Sequence, residues 1–512
     1  MKISIVLLTL IIVNLSTASR ILFLFPTPSK SHMIIVHALS TALAEKGHHV
    51  TVFSPFPLNK KINNHREFES PIRPELKELF RKFTTGEVSK FKMLFMFPKL
   101  GVQLAEDMIY TDDFQRILNE RFDMIIIGLT ANHFLLGFGE HFNCPTAMLS
   151  VQRHSSYTNI PVGNPIEINA VNHAFFPSGS LKNFIHRVQN FLAGVFDILM
   201  FAGIDYYEKL AYEKIFPSSR HRSYEESKSN ISLVLVNDHF SEGNVRPNLP
   251  AVVEIRGIQV KEIPDELPQD IQKFLDDANE GAILFSLGTN FQTAFLSDNF
   301  VEMLMKVLSK LKQKVIMKWD SEINEKPENV MIKKWLPQDD ILAHKNMKLF
   351  ISHCGLGGIV ESKYHGVTIL GLPIFGDQEV NCNEIVSEGW SLQLNLKTIT
   401  ENELQNTINE LLHNETYSNK VKKFSQLYQD RPMSPKESAI YWIEYVIRHH
   451  GAPHMQYFAV HQNFWQRTSL DVLAFLAICV IASFKLLKFV FKTLLGKLFK
   501  SKKTISVSKK TK

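Results

Sequence analysis

The sequence predicts an α/β protein of two halves, each built on a parallel sheet, with one C-terminal transmembrane helix. Three observations predict it. Short continuous apolar runs alternate with helical patterns near the start, and the same alternation restarts after residue 280. A proline-bearing stretch separates the two series. A last long apolar run is followed by lysines. At 512 residues the chain is too long for one ordinary domain and suits two with additions.

Residues 1–19, MKISIVLLTLIIVNLSTAS, pair a lysine with an apolar run and small residues, the pattern of a cleavable signal peptide. ILFLF (21–25) reads as a strand buried on both faces. A helical pattern runs from about Met33 to Lys46 and stops at Gly47, and HVTVF (49–53) is the next strand. This β-α-β unit implies a parallel sheet. FDMIIIG (122–128) adds a strand. The N-terminal domain is expected over 20–255 and a linker with Pro264 and Pro268 over 256–280. GAILFSLG (281–288) restarts the series, followed by the helix VEMLMKVLSKL and the strands KVIMKW, LFISH and TILGLPIFG, for a C-terminal domain over 281–455.

LDVLAFLAICVIASFKLLKFVF (470–491) is the expected transmembrane helix, with Lys485 and Lys488 snorkelling to the interface. The basic tail 492–512 places that end in the cytosol. With the signal peptide, this predicts a single-pass type I protein whose domains are luminal. The ending KKTK, with Lys509 and Lys510, resembles a dilysine signal for the endoplasmic reticulum.

The net charge of +6 misleads, because ten lysines lie in residues 485–512 without an acid, and the remainder carries −4. That excludes a nucleic-acid binder with a basic face. Cys144, Cys354, Cys382 and Cys479 are too few for a disulfide framework, so a large core must stabilise the fold. Asn230 and Asn414 stand in glycosylation sequons.

FISHCGLGGIVESKYHGVTILGLPIFGDQEVNC (350–382) runs from an apolar strand into His353, then Gly355, Gly357 and Gly358, then a helix expected from about Gly357 to Gly366. A helix N-terminus presents free N–H groups and partial positive charge, and glycines let an anion approach the backbone. His353 at the strand tip can donate to the same anion. The stretch suits a diphosphate, without the Walker pattern.

WLPQDDILAH (335–344), FISHCGLGG, Glu361, GLPIFGDQ and Asn381 resemble the signature of the UDP-glycosyltransferases, the membrane-bound animal type and the insect enzymes in particular. FPTPSKSH, SLGTN (286–290), YWIEYVIRHHGAPH (441–454) and the tail follow in the family's order. The resemblance implies the GT-B architecture, two Rossmann-like domains facing across a cleft. The donor is a UDP-sugar and the acceptor a small lipophilic hydroxyl compound. Trp335 then flanks the uracil, Gln338 bonds the base or ribose, Glu361 takes the ribose hydroxyls, and His353, Gly355 and Gly358 hold the diphosphate. Asp377 and Gln378 bind the sugar, and Ser286 and Gly288 close over the nucleotide. His32 is the candidate general base of an inverting transfer, glucose being the expected hexose. No metal or cofactor is expected, and a homo-oligomer stays open. Phe-rich segments such as FKMLFMF (91–97) would line the acceptor pocket.

The chain departs from the family pattern at Cys354, where a glycine is usual, and at Gly357 or Gly358, where Asn or Ser often faces the phosphates. Gly366-Val-Thr368 replaces the usual Gly-x-Pro. The family's carboxylate partner of the base falls at Gly128, with Asn132 and His133 as substitutes and Asp123 at the strand's wrong end. Loss of that acid predicts weakened catalysis, or a carrier that binds UDP-sugar or lipophilic ligands without transfer.

Overall fold

The computed structural model describes residues 18–508 apart from 59, 85–86, 129–130, 174–175, 177, 244, 290, 292, 294–295, 322 and 324. Residues 1–17 of the expected signal peptide, Asn290 of the SLGTN motif and the terminal lysines 509, 510 and 512 therefore lie outside the described residues. The first sheet has seven strands in the order β3-β2-β1-β4-β5-β6-β7: β1 Arg20–Leu24, β2 His49–Ser54, β3 His65–Glu69, β4 Met124–Gly128, β5 Thr146–Ser150, β6 Ile231–Val236 and β7 Val252–Glu254. The second has six in the order β10-β9-β8-β11-β12-β13: β8 Ala282–Ser286, β9 Lys314–Lys318, β10 Val330–Lys333, β11 Met347–Ser352, β12 Thr368–Gly371 and β13 Ser391–Gln393. Every pairing in both is parallel.

The strands form where the apolar runs are, since a parallel sheet covered on both faces buries consecutive side chains. All five residues of β4, β5 and β8 are buried. Each sheet separates two apolar cores. Strand order reverses between β1 and β4 in one sheet and between β8 and β11 in the other. At such points the chain leaves toward opposite faces, and the carboxyl ends of the strands open a crevice for ligands.

Six helices matter for the site and its frame: α1 Lys30–Glu45, α2 Phe184–Ile215, α3 Gln269–Asp276, α4 Gln338–Leu342, α5 Leu356–His365 and α6 Gln378–Ser387. A seventh, α7 Pro435–Arg448, corrects the expected domain limits. Its Ala439, Ile443 and Val446 enter the core of the first sheet beside Met33 and Val36 of α1, although it follows the second sheet in sequence. Its apolar stripe announces a helix but not which sheet it covers. The expected linker is likewise packed. Ile258 enters the first core, and Ile271 and Leu275 of α3 enter the second.

A buried ion network joins the domains. Glu242 faces the Arg256 guanidinium at 2.6 Å and Lys363 of α5 at 3.0 Å. Arg153, after β5, donates to Glu384 of α6 at 2.6 Å. Burial works against the Glu242 charge, but Arg256, Lys363 and Arg153 hold its pKa down to about 2.

The described residues up to Gln456 form one compact unit and those from Tyr457 another. The second is dominated by α8, Leu470–Ser508, whose segment Leu470–Gly496 is long and apolar enough to cross a membrane. The helix extends past the expected limit at Phe491. By length and composition α2 could cross one as well, and only 17% of its most apolar stretch is buried. Its Asn190, Glu208 and Tyr212 are buried in hydrogen bonds within the first domain, so we read it as a domain helix.

Candidate active site

The nucleotide half is built on the second sheet's reversal point. Ser286 ends β8 and Ser352 ends β11, and the two are register partners. Beyond them the chain turns at Gly288, with φ +85°, and passes through His353 into α5. The imidazole fills the space between two glycines. A Cβ on Gly288 or on Gly355 would lie 2.5 Å from His353 Nε2, so both positions must lack a side chain. Gly355 caps α5 and Gly366, at φ 70°, ends it, within a residue or two of the expected limits. Beside Gly357 the space is open, as the approach of a ligand to the helix N-terminus requires.

Burial lowers the pKa of His353 to about 4, with the Lys318 charge adding and a hydrogen bond to the Ser286 backbone opposing. Sequence reading missed Lys318. It ends β9, and its Nζ donates to the Gly288 carbonyl at 2.8 Å, which sets a cation beside the histidine. KVIMK shows a strand ending in lysine, but the lysine gains meaning only once β9 lies beside β8.

Gln338, Gly358 and Glu361 come together. The Gln338 Nε2 donates to Glu361 Oε2 at 2.6 Å, and it would stand 3.4 Å from a Cβ on Gly358. Burial pushes the Glu361 carboxyl up to about 8, the Asp339 charge adding to it. Trp335 is 67% exposed, so its indole is an open face and not a core residue.

Asp377 stands at the start of α6, after a loop that follows β12, and not directly at the strand end as expected. Its Oδ2 accepts from Asn381 Nδ2 at 2.8 Å, and the same Nδ2 lies 3.4 Å from the Cys354 carbonyl oxygen. Asn381 thus links the expected sugar residue to the glycine turn. Gln378 is buried, and its Oε1 accepts from the backbone N–H groups of Ile374 and Phe375 at 2.8 and 3.0 Å. That oxygen holds the loop, which leaves only the amide nitrogen for a ligand.

In the first domain His32 sits in the opening turn of α1, at the other reversal point. It borders a small crevice with Phe25, Thr27, Met33, Gly128, Leu149 and Val151. Burial alone lowers its pKa to about 4. Neither substitute partner turns to it. Asn132 Nδ2 donates to the Gly128 carbonyl at 3.1 Å, and His133 Nδ1 pairs with the buried Glu208 at 3.1 Å. Asp123 binds the Arg20 N–H at 2.7 Å, at the strand's opposite end. A Cβ on Gly128 would lie 2.7 Å from the Phe25 ring, which occupies the acid's place.

The two halves face each other. Lys30, two residues before His32, lowers the pKa of Lys318, behind burial and against Asp320. The start of α1 and the end of β9 are therefore near enough for their charges to act on each other. Asn230 is exposed, and Asn414 caps a helix by accepting from the Thr416 N–H at 3.0 Å.

Residues 177–504 match the family model described as "UDP-glucoronosyl and UDP-glucosyl transferase". The chain is 33% identical to UDP-glucosyltransferase 2 of Dactylopius coccus, over 98% of each chain. The chain belongs to the UDP-glycosyltransferase family. This UDP-glycosyltransferase is also 29% identical to the human 2-hydroxyacylsphingosine 1-beta-galactosyltransferase, over 90% of its own length and 86% of the relative's. With human UDP-glucuronosyltransferase 2B17 it shares 27% identity over 88% of each. Among solved structures, a UDP-glucosyltransferase of Polygonum tinctorium superposes with a TM-score of 0.58 at 13% identity, covering 85% of this chain and 99% of that one. The fold is GT-B, and the chain is a glycosyltransferase that moves a sugar from a UDP-sugar to an acceptor. The three relatives are named for three sugars, so family membership leaves the sugar undecided.

Proposed function

We propose that this UDP-glycosyltransferase moves glucose from UDP-glucose to the hydroxyl of a small lipophilic acceptor, with inversion. The observation that carries the reading is the glycine turn after β11, where the His353 imidazole packs between Gly288 and Gly355 and the space beside Gly357 at the α5 N-terminus is open. Glucose is favoured by the relative of Dactylopius coccus named a glucosyltransferase. The apolar lining of the His32 crevice, with Phe25, Met33, Leu149 and Val151, suits a lipophilic acceptor.

His32 takes the acceptor proton as the oxygen attacks the anomeric carbon. With its pKa near 4 the imidazole is neutral at physiological pH and ready to accept. Trp335 offers its face to uracil, and Gln338 and Glu361 meet the base and ribose. The α5 N-terminus, His353 and Lys318 stabilise the diphosphate as it leaves, so the reading calls on no metal ion. Asp377 and the Gln378 amide nitrogen orient the sugar hydroxyls. The sequons and the apolar segment Leu470–Gly496 support domains in the lumen of the endoplasmic reticulum, anchored by α8, in a conjugating or detoxifying role.

The test is to incubate the protein with labelled UDP-glucose, UDP-galactose or UDP-glucuronate and a panel of phenols and steroid-like alcohols. Transfer of glucose above the other sugars, lost in Asp377→Ala, is the expected result. His32 has no partner among the described residues, which favours a second reading, a carrier. It wins if UDP-glucose binds, nothing is transferred, and the variant matches the parent.

Glu361 gives a further prediction. Its buried carboxyl is protonated below about pH 8, whereas ribose hydroxyls donate best to a carboxylate. UDP binding at pH 7 is therefore expected to release a proton, measured by calorimetry in buffers of different ionisation enthalpy. Glu361→Gln should abolish the release. The same raised pKa means that the folded protein binds this proton more tightly than the unfolded chain. Stability is thus lost as pH rises from about 4.5 through 8, and less so in the variant.

A further inference from the structure

The glycine turn holds a second buried chemical group, a pair of thiols. Cys354 follows His353, and Cys382 lies within α6; both are wholly buried. A Cβ on Gly371, the last residue of β12, would lie 2.0 Å from Cys382 Sγ and 2.6 Å from Cys354 Sγ. Both sulfurs thus crowd one point above a strand residue that has no side chain to separate them. Burial, with the Cys382 thiol adding, holds the Cys354 thiol well above its ordinary range. Cys354 also holds a left-handed backbone conformation, φ 61°, which glycine adopts without strain and a side chain does not. The Asn381 amide nitrogen adjoins the Cys354 carbonyl oxygen, so the two segments already touch through their neighbours.

We propose that Cys354 and Cys382 form a disulfide when the chain folds in an oxidising compartment, cross-linking the glycine turn to α6. The oxidant is a disulfide such as glutathione disulfide. One cysteine thiolate attacks it, forming a mixed disulfide and releasing one glutathione thiolate. The other cysteine thiolate then attacks the protein sulfur of that mixed disulfide, closing the Cys354–Cys382 bond and releasing the second. The two cysteine protons end on the two departing thiolates, and the electron pair goes to the oxidant. The exchange belongs to folding, before the second core closes, because neither thiol is exposed afterwards. The bond rests on the placement of the sulfurs alone. Its consequence rests on the reading of the site above: it would pin the His353 turn at a set distance from Asp377 and Gln378, the diphosphate end of the donor from its sugar end.

The test puts a host's own secretory leader in place of residues 1–19, so that delivery to an oxidising compartment does not depend on this chain's leader. The membrane-bound protein is then denatured in a maleimide without reductant. Cys144 and Cys479 should label, a peptide linking Cys354 to Cys382 should appear on digestion, and all four should label after reduction. Labelling of all four before reduction, or a linked peptide joining Cys144 to either, overturns the proposal. Thermal unfolding gives the second readout. Reductant should lower the midpoint of the parent by about 5 °C and leave that of Cys382→Ala unmoved. Equal midpoints for the parent with and without reductant overturn it as well. Sugar transfer by a protein whose four cysteines all label would support the site reading while removing the cross-link.

Discussion

Replacing His32 with alanine is expected to lower kcat/KM by about 10²–10⁴-fold, the span of general-base catalysis, while UDP binding stays as in the parent. The imidazole lies in the first domain, whereas the nucleotide residues lie in the second. Loss of chemistry without loss of UDP affinity therefore separates the two halves. The pH profile sharpens the test. A histidine lowered by burial to about 4 stays neutral until well below the usual imidazole range. The acid limb of kcat/KM should then fall near pH 4 in the parent and disappear in the variant. An unchanged rate, or an acid limb near pH 6.5 in the parent, would remove His32 from the role of an unpartnered base.

Much of this site can be read from the chain because its parts are local. Gly355 and Gly366 bracket the ten residues of α5, and the left-handed φ of 70° at Gly366 is what a helix-ending glycine permits. Ser286 and His353 follow continuous apolar runs, and a run buried on both faces is the mark of a parallel strand. What escaped reading is set by pairing between distant segments. Lys318 joins the site only because β9 lies beside β8, and α7 covers the first sheet only because the chain returns to it after the second. Gln378 shows a different failure. Its residue type suits sugar hydroxyls, yet its carbonyl oxygen is spent on two backbone N–H groups of the preceding loop. Composition also concealed the ion network, since Arg256 and Glu242 look like surface residues until both are buried at the domain junction.

The vacancy at Gly128 makes the last prediction one of gained activity. In the family pattern a carboxylate orients the base histidine, holds its tautomer and stabilises the imidazolium that forms. Here Gly128 takes that place, and the Phe25 ring lies where even a Cβ would go, 2.7 Å away at its Cδ1. Gly128→Asp alone should therefore lower stability, because the new side chain meets a buried phenyl ring and buries a charge. Phe25→Leu alone should cost about 1 kcal/mol and leave the pH profile as it was. Together they free the space and supply the acid. The double variant is expected to raise kcat by about tenfold or more, since a misoriented base histidine forfeits up to about 10⁴-fold in the triad enzymes. A carboxylate favours the charged imidazole, so the acid limb should move up from pH 4 toward 6.5. A folded double variant whose acid limb stays near pH 4 would show that position 128 does not reach His32. A limb that moves without a gain in kcat would show that proton removal is not what limits the enzyme.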